Sequence, residues 1–208
     1  FKKFYEIDMS KLNILDRQVL LERRMISREF YAKKQNTALA MTDDEICSIM
    51  INEEDHIRMQ AMLSGLRLGE VWKIIDKMDD SLSCELPFAF DENLGYLTSC
   101  PTNVGTGMRA SVMLHLPGLV LCDQINAVIQ AVNKLGLAVR GIFGEGTESL
   151  GNLFQISNQS TLGESEGQII DRLEAVIRQI INHEKNSRTK LLQNRRDFLM
   201  NHIGRSYG

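Results

Sequence analysis

Thr37-Ala38-Leu39-Ala40-Met41, then Thr42-Asp43-Asp44-Glu45, then Ile46-Cys47-Ser48-Ile49-Met50-Ile51 follow one another without a break. Two short apolar runs around a polar tetrad predict a strand, a turn and a second strand. Ile57–Met62 predicts a third strand beyond them. The next stretch changes period: Leu68, Val71, Trp72, Ile75, Met78 and Leu82 recur at helical spacing and predict an amphipathic helix over Leu68–Leu82. Strands that pair locally, with long helices between them, predict an α+β fold: a largely antiparallel β-sheet flanked by α-helices.

The same reading extends in both directions. Leu12, Leu15, Val19 and Leu20 predict a helix over Leu12–Leu21 with Ser10 as its cap. Met108–Leu116, closed by Pro117, predicts a buried strand. Asp123 is a candidate cap for a helix carrying Ile125, Val128, Ile129 and Val132 on one face and ended by Gly136. Leu137–Phe143 and Leu153–Ile156 predict strands separated by a glycine-rich loop. A last long helix starts near Ser165, with Ile169, Leu173, Val176, Ile177 and Ile180 on one face. Its later turns collect Lys185, Arg188, Lys190, Arg195 and Arg196, most simply a solvated face near a helix C-terminus.

The 208 residues suffice for one substantial core, and 43% apolar with 25% charged residues is ordinary for a globular chain. A net charge of −3 gives no reason to expect nucleic acid as a partner. No apolar run approaches a membrane span and no secretory h-region is present, so the expected location is cytoplasmic. Cys47, Cys84, Cys100 and Cys122 form no C-x-x-C pair, which disfavours structural zinc. Three of them read as small buried hydrophobes; Cys100 stands apart because of its neighbours. The chain begins at Phe1 and stops at Gly208, and both ends read as cut.

Three segments concentrate chemistry. Asn52-Glu53-Glu54-Asp55-His56-Ile57-Arg58 crowds three carboxylates beside a histidine and an arginine. As extended backbone it would set Glu54, His56 and Arg58 on one face. The bland alternative is a polar hairpin with surface ion pairs of little worth. Cys100-Pro101-Thr102-Asn103-Val104-Gly105-Thr106-Gly107-Met108-Arg109 joins a thiol, a stiff turn, a Gly-x-Gly loop and an arginine. Glycine-rich turns let backbone N–H groups approach an anion, and arginine forks onto phosphate. The loop lacks the lysine and hydroxyl ending of a P-loop. Arg140-Gly141-Ile142-Phe143-Gly144-Glu145-Gly146-Thr147-Glu148 ends a strand in an arginine and presents Glu145 from a glycine-rich loop; alone it is a charged surface turn. His183-Glu184 lacks a second histidine at metalloprotease spacing and reads as helix surface.

In this order the three segments resemble those of the phosphagen (guanidino) kinases, with supporting similarity along most of Leu20–Gly163. The resemblance implies a catalytic domain spanning residues 1–208 that uses ATP and Mg²⁺. It implies Glu54 as the base, Glu145 as a second clamp on the guanidinium, and Glu53 as a support for the motif. Cys100 would sit against a guanidinium nitrogen. Arg58, Arg109 and Arg140 match the phosphate-clamping arginines, and His56 a position near the nucleotide. Val112–Pro117 and Gln155–Gln159 look like the bacterial protein-arginine kinase branch, which implies arginine-bearing protein substrates and a place in stress responses. That branch also implies an activator protein, a transcriptional repressor and a chaperone-protease as partners; a homodimer stays open.

Two departures stand out. Small-substrate members carry histidines where this chain has Met113 and Gly146, and the family's upstream Ser-x-Arg-x-Arg element is not found here. Two alternatives are carried with the leading reading: a kinase for free arginine or another small guanidino compound, and a non-catalytic phosphoarginine-binding or regulatory module.

Overall fold

The computed structural model describes residues 3–33, 35–143 and 149–207. The chain folds as two compact units, Phe1–Gly105 and Thr106–Gly208.

In the first unit, β1 (Phe4–Asp8), α1 (Ile14–Glu22), α2 (Arg28–Ala32), β2 (Ala38–Thr42), β3 (Cys47–Ile51) and β4 (Ile57–Ala61) come first. The four strands form one antiparallel sheet in the order β1-β2-β3-β4. The quoted stretch is its central hairpin, with Leu39 opposite Met50. Leu39 and Met50 are fully buried and pack with Met9, Ile26 and Phe30. Each such side chain removed from water stabilises the fold by about 1.5–3 kcal/mol. Then follow α3 (Leu68–Ser83), whose apolar positions match the expected face, and the two-residue strands β5 (Phe90–Asp91) and β6 (Gly95–Tyr96).

Helix α1 departs from its expected face and cap. Asn13, not Ser10, caps it, accepting a hydrogen bond from the Asp16 N–H at 2.8 Å. Leu15 is 70% exposed. The inward position belongs to Arg17, which is buried and donates to the carbonyls of Met9, Tyr31 and Lys33. A guanidinium that donates to three carbonyls can replace an apolar residue there, because those donors exchange water for protein partners.

The second unit contains β7 (Ser111–His115), α4 (Pro117–Leu121), α5 (Ile125–Lys134), β8 (Leu137–Phe143), β9 (Ser149–Asn158), α6 (Glu166–Asn194) and α7 (Arg196–Tyr207). Its sheet is antiparallel with β9 central, in the order β7-β9-β8. Phe154 and Ile156 of β9 are buried, as are Ile169, Leu173, Ile177 and Ile180 of α6. Ser165 and Gln168 form a capping box at the start of α6. Gly136, at φ 71°, follows α5 in the left-handed conformation that ends helices.

Four local expectations are corrected. Pro117 does not merely close a strand; it is the first residue of α4, where a missing N–H costs nothing. Asp123 lies at φ 57° and Gln124 takes the cap position of α5. Glu184 is buried rather than on the surface of α6, accepting the N–H groups of Gly118 and Leu119 at 2.9 Å each. Leu116 at the cap position offers these first-turn donors no side-chain acceptor, so Glu184 supplies one, and Arg188 shares the carboxylate. Cys84 is exposed, against the expected burial; Cys47 is buried and Cys122 half-buried.

Candidate active site

The Asn52–His56 segment is a loop, not extended backbone, so side chains do not alternate across it. Asn52 takes φ 61° and its N–H donates to the His56 carbonyl at 2.9 Å, closing the β3–β4 hairpin. Asparagine tolerates that left-handed turn. The consequence is a division of labour between neighbours: Glu53 turns inward and is 3% exposed, whereas Glu54 and His56 are exposed.

The Glu53 carboxylate is fully engaged. Oε1 accepts from Ser27 Oγ at 2.5 Å and from Arg58 Nη1 at 2.7 Å; Oε2 accepts from the Glu54 N–H at 2.5 Å. Ser27 also caps α2 by accepting from the Phe30 N–H. Lys33, just past that helix, donates to the carbonyls of Asn52 and Glu53. The loop carrying Glu54 is thus held from beneath by α2. Sequence alone did not mark Ser27 or Lys33, which lie 26 and 20 residues before Glu53.

Burial raises the pKa of Glu53, but the hydrogen bonds from Ser27 and Glu54 and the charge of Arg58 outweigh it. The net shift is downward from 4.5. A group whose folded pKa lies below its unfolded one stabilises above the unfolded value, and that contribution fades as pH falls through the folded value. In urea titrations, Glu53→Gln should therefore be least stable relative to wild type above pH 4.5, with the gap narrowing on acidification. A gap independent of pH would mean the charge of Glu53 does nothing for folding.

Cys100 sits in a loop tied at several points. The Tyr96 and Gly105 backbones exchange hydrogen bonds of 2.8 and 3.2 Å. Tyr96 is itself fixed by a 2.9 Å bond from its hydroxyl to Asp79 on α3 and by edge contacts with Phe88 and Phe90. The Cys100 carbonyl accepts from Thr98 Oγ1 and from the Asn103 N–H, and Sγ lies 2.9 Å from Thr102 Oγ1. The Ser99 N–H donates to the Asp55 carboxylate at 2.6 Å. Gly95 makes the closure possible: at φ +77°, a Cβ would meet the Gly105 oxygen at 2.5 Å. Gly95→Ala should cost about 2 kcal/mol or more in a denaturant titration, combining left-handed strain with a backbone collision. An unchanged midpoint would show that the loop closes another way.

In the second unit Arg109 is exposed on a segment gripped by a buried side chain. Asn158, 2% exposed, accepts from the Ala110 N–H at 2.8 Å and donates to the Met108 carbonyl at 3.0 Å. Both peptides flanking Arg109 are thereby fixed. Asn158 lies in the Gln155–Gln159 run, but nothing in the sequence pairs it with Arg109. Arg140, also exposed, stands across from Gln155, which stands across from Met113. Directly opposed residues share a sheet face. Met113, where small-substrate members carry histidine, thus lies in the same cross-strand row as Arg140. Glu145 and Gly146 lie outside the described residues.

The model of the ATP:guanido phosphotransferase C-terminal catalytic domain matches residues 1–187. The chain belongs to that family. A protein-arginine kinase of Brevibacillus brevis is 54% identical over 202 residues, covering 97% of this chain and 57% of that protein. One from Pelotomaculum thermopropionicum is 51% identical, over 96% of this chain and 56% of that protein. The chain thus spans a little over half the length of these relatives. Among solved structures, the duplicated taurocyamine kinase from Schistosoma mansoni with bound transition state analog components superposes with a TM-score of 0.77 at 27% identity, covering 92% of this chain and 27% of that one. Lombricine kinase, at 24% identity and a TM-score of 0.74, covers 88% of this chain and 54% of its own and shares the fold. The α+β guanidino kinase fold expected from the sequence is therefore the one adopted.

Proposed function

We propose that this guanidino kinase domain takes part in ATP-dependent phosphoryl transfer to the guanidinium of arginine residues in proteins. The observation that carries the proposal is the run of about half-identical residues shared with protein-arginine kinases along nearly the whole chain. Residues 1–208 would form one catalytic domain of the enzyme, acting in the cytoplasm.

Chemistry assigns the roles. A guanidinium keeps its proton in water and is a poor nucleophile. Two carboxylates opposite its planar fork can orient it and accept the proton as the N–P bond forms and the bond from the γ-phosphorus to the departing ADP breaks. Glu54 is the base and Glu145 the second clamp; Cys100 orients a guanidinium nitrogen. Glu53 supports Glu54 from below and does not touch substrate. Arg58, Arg109 and Arg140 spread the charge of the phosphates, with His56 on the nucleotide side. These exposed guanidiniums are donors suited to an anion rather than to a cation. Mg²⁺ would be held by the nucleotide phosphates and would supply charge neutralisation there.

Incubating the full-length protein with ATP, Mg²⁺ and an unfolded arginine-rich protein should place acid-labile phosphate on arginine side chains. Transfer to free arginine in preference to protein would point to a small-guanidino kinase. Binding of phosphoarginine without ATP turnover would point to a binding module. Activator, repressor and chaperone-protease partners, and self-association, belong to the same proposal and would be read from pull-downs and sedimentation.

A further inference from the structure

Asp55 joins its own glutamate-bearing segment to the cysteine-bearing one and has no role in the proposed reaction. Its carboxylate accepts the Ser99 N–H at 2.6 Å across 44 residues of sequence. On one side its own peptide follows Glu54, whose backbone N–H is held by the buried Glu53. On the other, Ser99 directly precedes Cys100, in a loop already closed by Tyr96 and Gly105. An ionised acceptor on a backbone donor is about twice as strong as a neutral pair.

We propose that Asp55 is a positioning residue that sets the Cys100 loop against the Glu54 loop. The inference rests on the proposed function, in which Glu54 and Cys100 both face the guanidinium. A nucleophile held about 1 Å out of place can lose a hundredfold in rate. The closure at Tyr96–Gly105 makes the loop a unit but does not reach the Glu54 loop; the Asp55–Ser99 bond does. Asp55 has no assigned contact with substrate or the transferring group, so its loss should leave ATP affinity alone.

The test compares Asp55→Ala with Asp55→Asn in the full-length protein. Alanine removes the acceptor, whereas asparagine retains an oxygen that can take the Ser99 N–H. In Asp55→Ala, hydrogen exchange at the Ser99 amide should accelerate roughly tenfold or more, the scale of one charge-assisted bond. Alkylation of Cys100 by iodoacetamide, followed by peptide mass spectrometry, should change while that of Cys84 does not. The kcat for protein phosphorylation should fall about ten- to a hundredfold with the KM for ATP unchanged, and Asp55→Asn should recover most of it. Unchanged Ser99 exchange and Cys100 alkylation in Asp55→Ala would overturn the tether. Faster exchange with unchanged kcat would overturn the positioning role. A wild-type protein that phosphorylates no arginine would instead refute the proposed function, and Ser99 exchange and Cys100 alkylation would still decide the tether.

Discussion

Arg58→Ala is expected to slow phosphoryl transfer by on the order of a thousandfold, the scale of removing an arginine that stabilises a transferring phosphoryl group. Arg58 lies on β4 opposite Met50, where the sheet fixes its backbone. One guanidinium nitrogen is bonded to Glu53 at 2.7 Å, while 48% of the side chain remains exposed. The buried acid therefore aims the arginine, and its remaining donors are those that the proposed clamp would turn to phosphate oxygens. Folding should suffer far less than catalysis. Glu53 keeps the Ser27 hydroxyl and the Glu54 N–H as partners, which limits the cost of leaving its buried carboxylate without the nearby cation. Arg58→Lys should recover little activity, because an ammonium cannot fork onto Glu53 and a phosphate at once. Single-turnover rates with saturating ATP, read beside circular dichroism melts, separate the two effects. An Arg58→Ala enzyme within threefold of wild type would remove Arg58 from the phosphate clamp.

Why the sequence revealed some of this and concealed the rest has a physical cause. Residues whose environment is set by local period were legible. Ile169, Leu173, Ile177 and Ile180 repeat at helical spacing and are all buried on α6. The Thr37–Ile51 hairpin and β8 over Leu137–Phe143 follow from apolar runs and turn residues. Short or edge elements were not legible: β1 lies at the sheet edge, and α2 is five residues long. Helix α2 is too short to show a helical period, and β1 has no buried residue to mark an inner face. Buried charge was the larger blind spot. Arg17, Glu53 and Glu184 are each buried, held by partners that no local pattern shows. Glu184 meets the start of α4 from 66 residues away. The acidic cluster was visible at once; that Glu53 faces in, Glu54 faces out and Asp55 reaches sideways was not. Three adjacent carboxylates thereby avoid one another, which resolves the crowding that made the segment conspicuous.

Glu54→Gln is the sharpest test of that division. Glutamine matches glutamate in shape but cannot accept the guanidinium proton. Loss of a general base costs about 10²–10⁴-fold in kcat. The side chain is exposed and its backbone N–H is anchored by Glu53, so folding should change by no more than about 0.5 kcal/mol. Glu53→Gln should show the reverse order of effects: a loss of stability first, with activity following. The pH profile adds an independent sign. With the base gone, the reaction needs a guanidinium that has already lost its proton, and its pKa exceeds about 12. The residual rate of Glu54→Gln should then climb about tenfold per pH unit through the alkaline range, while wild type stays nearly flat. A variant that keeps wild-type kcat, or whose residual rate ignores pH, would move the base away from Glu54. The remaining carboxylate expected to face the guanidinium would then be Glu145, and the same pair of measurements on Glu145→Gln would assign it.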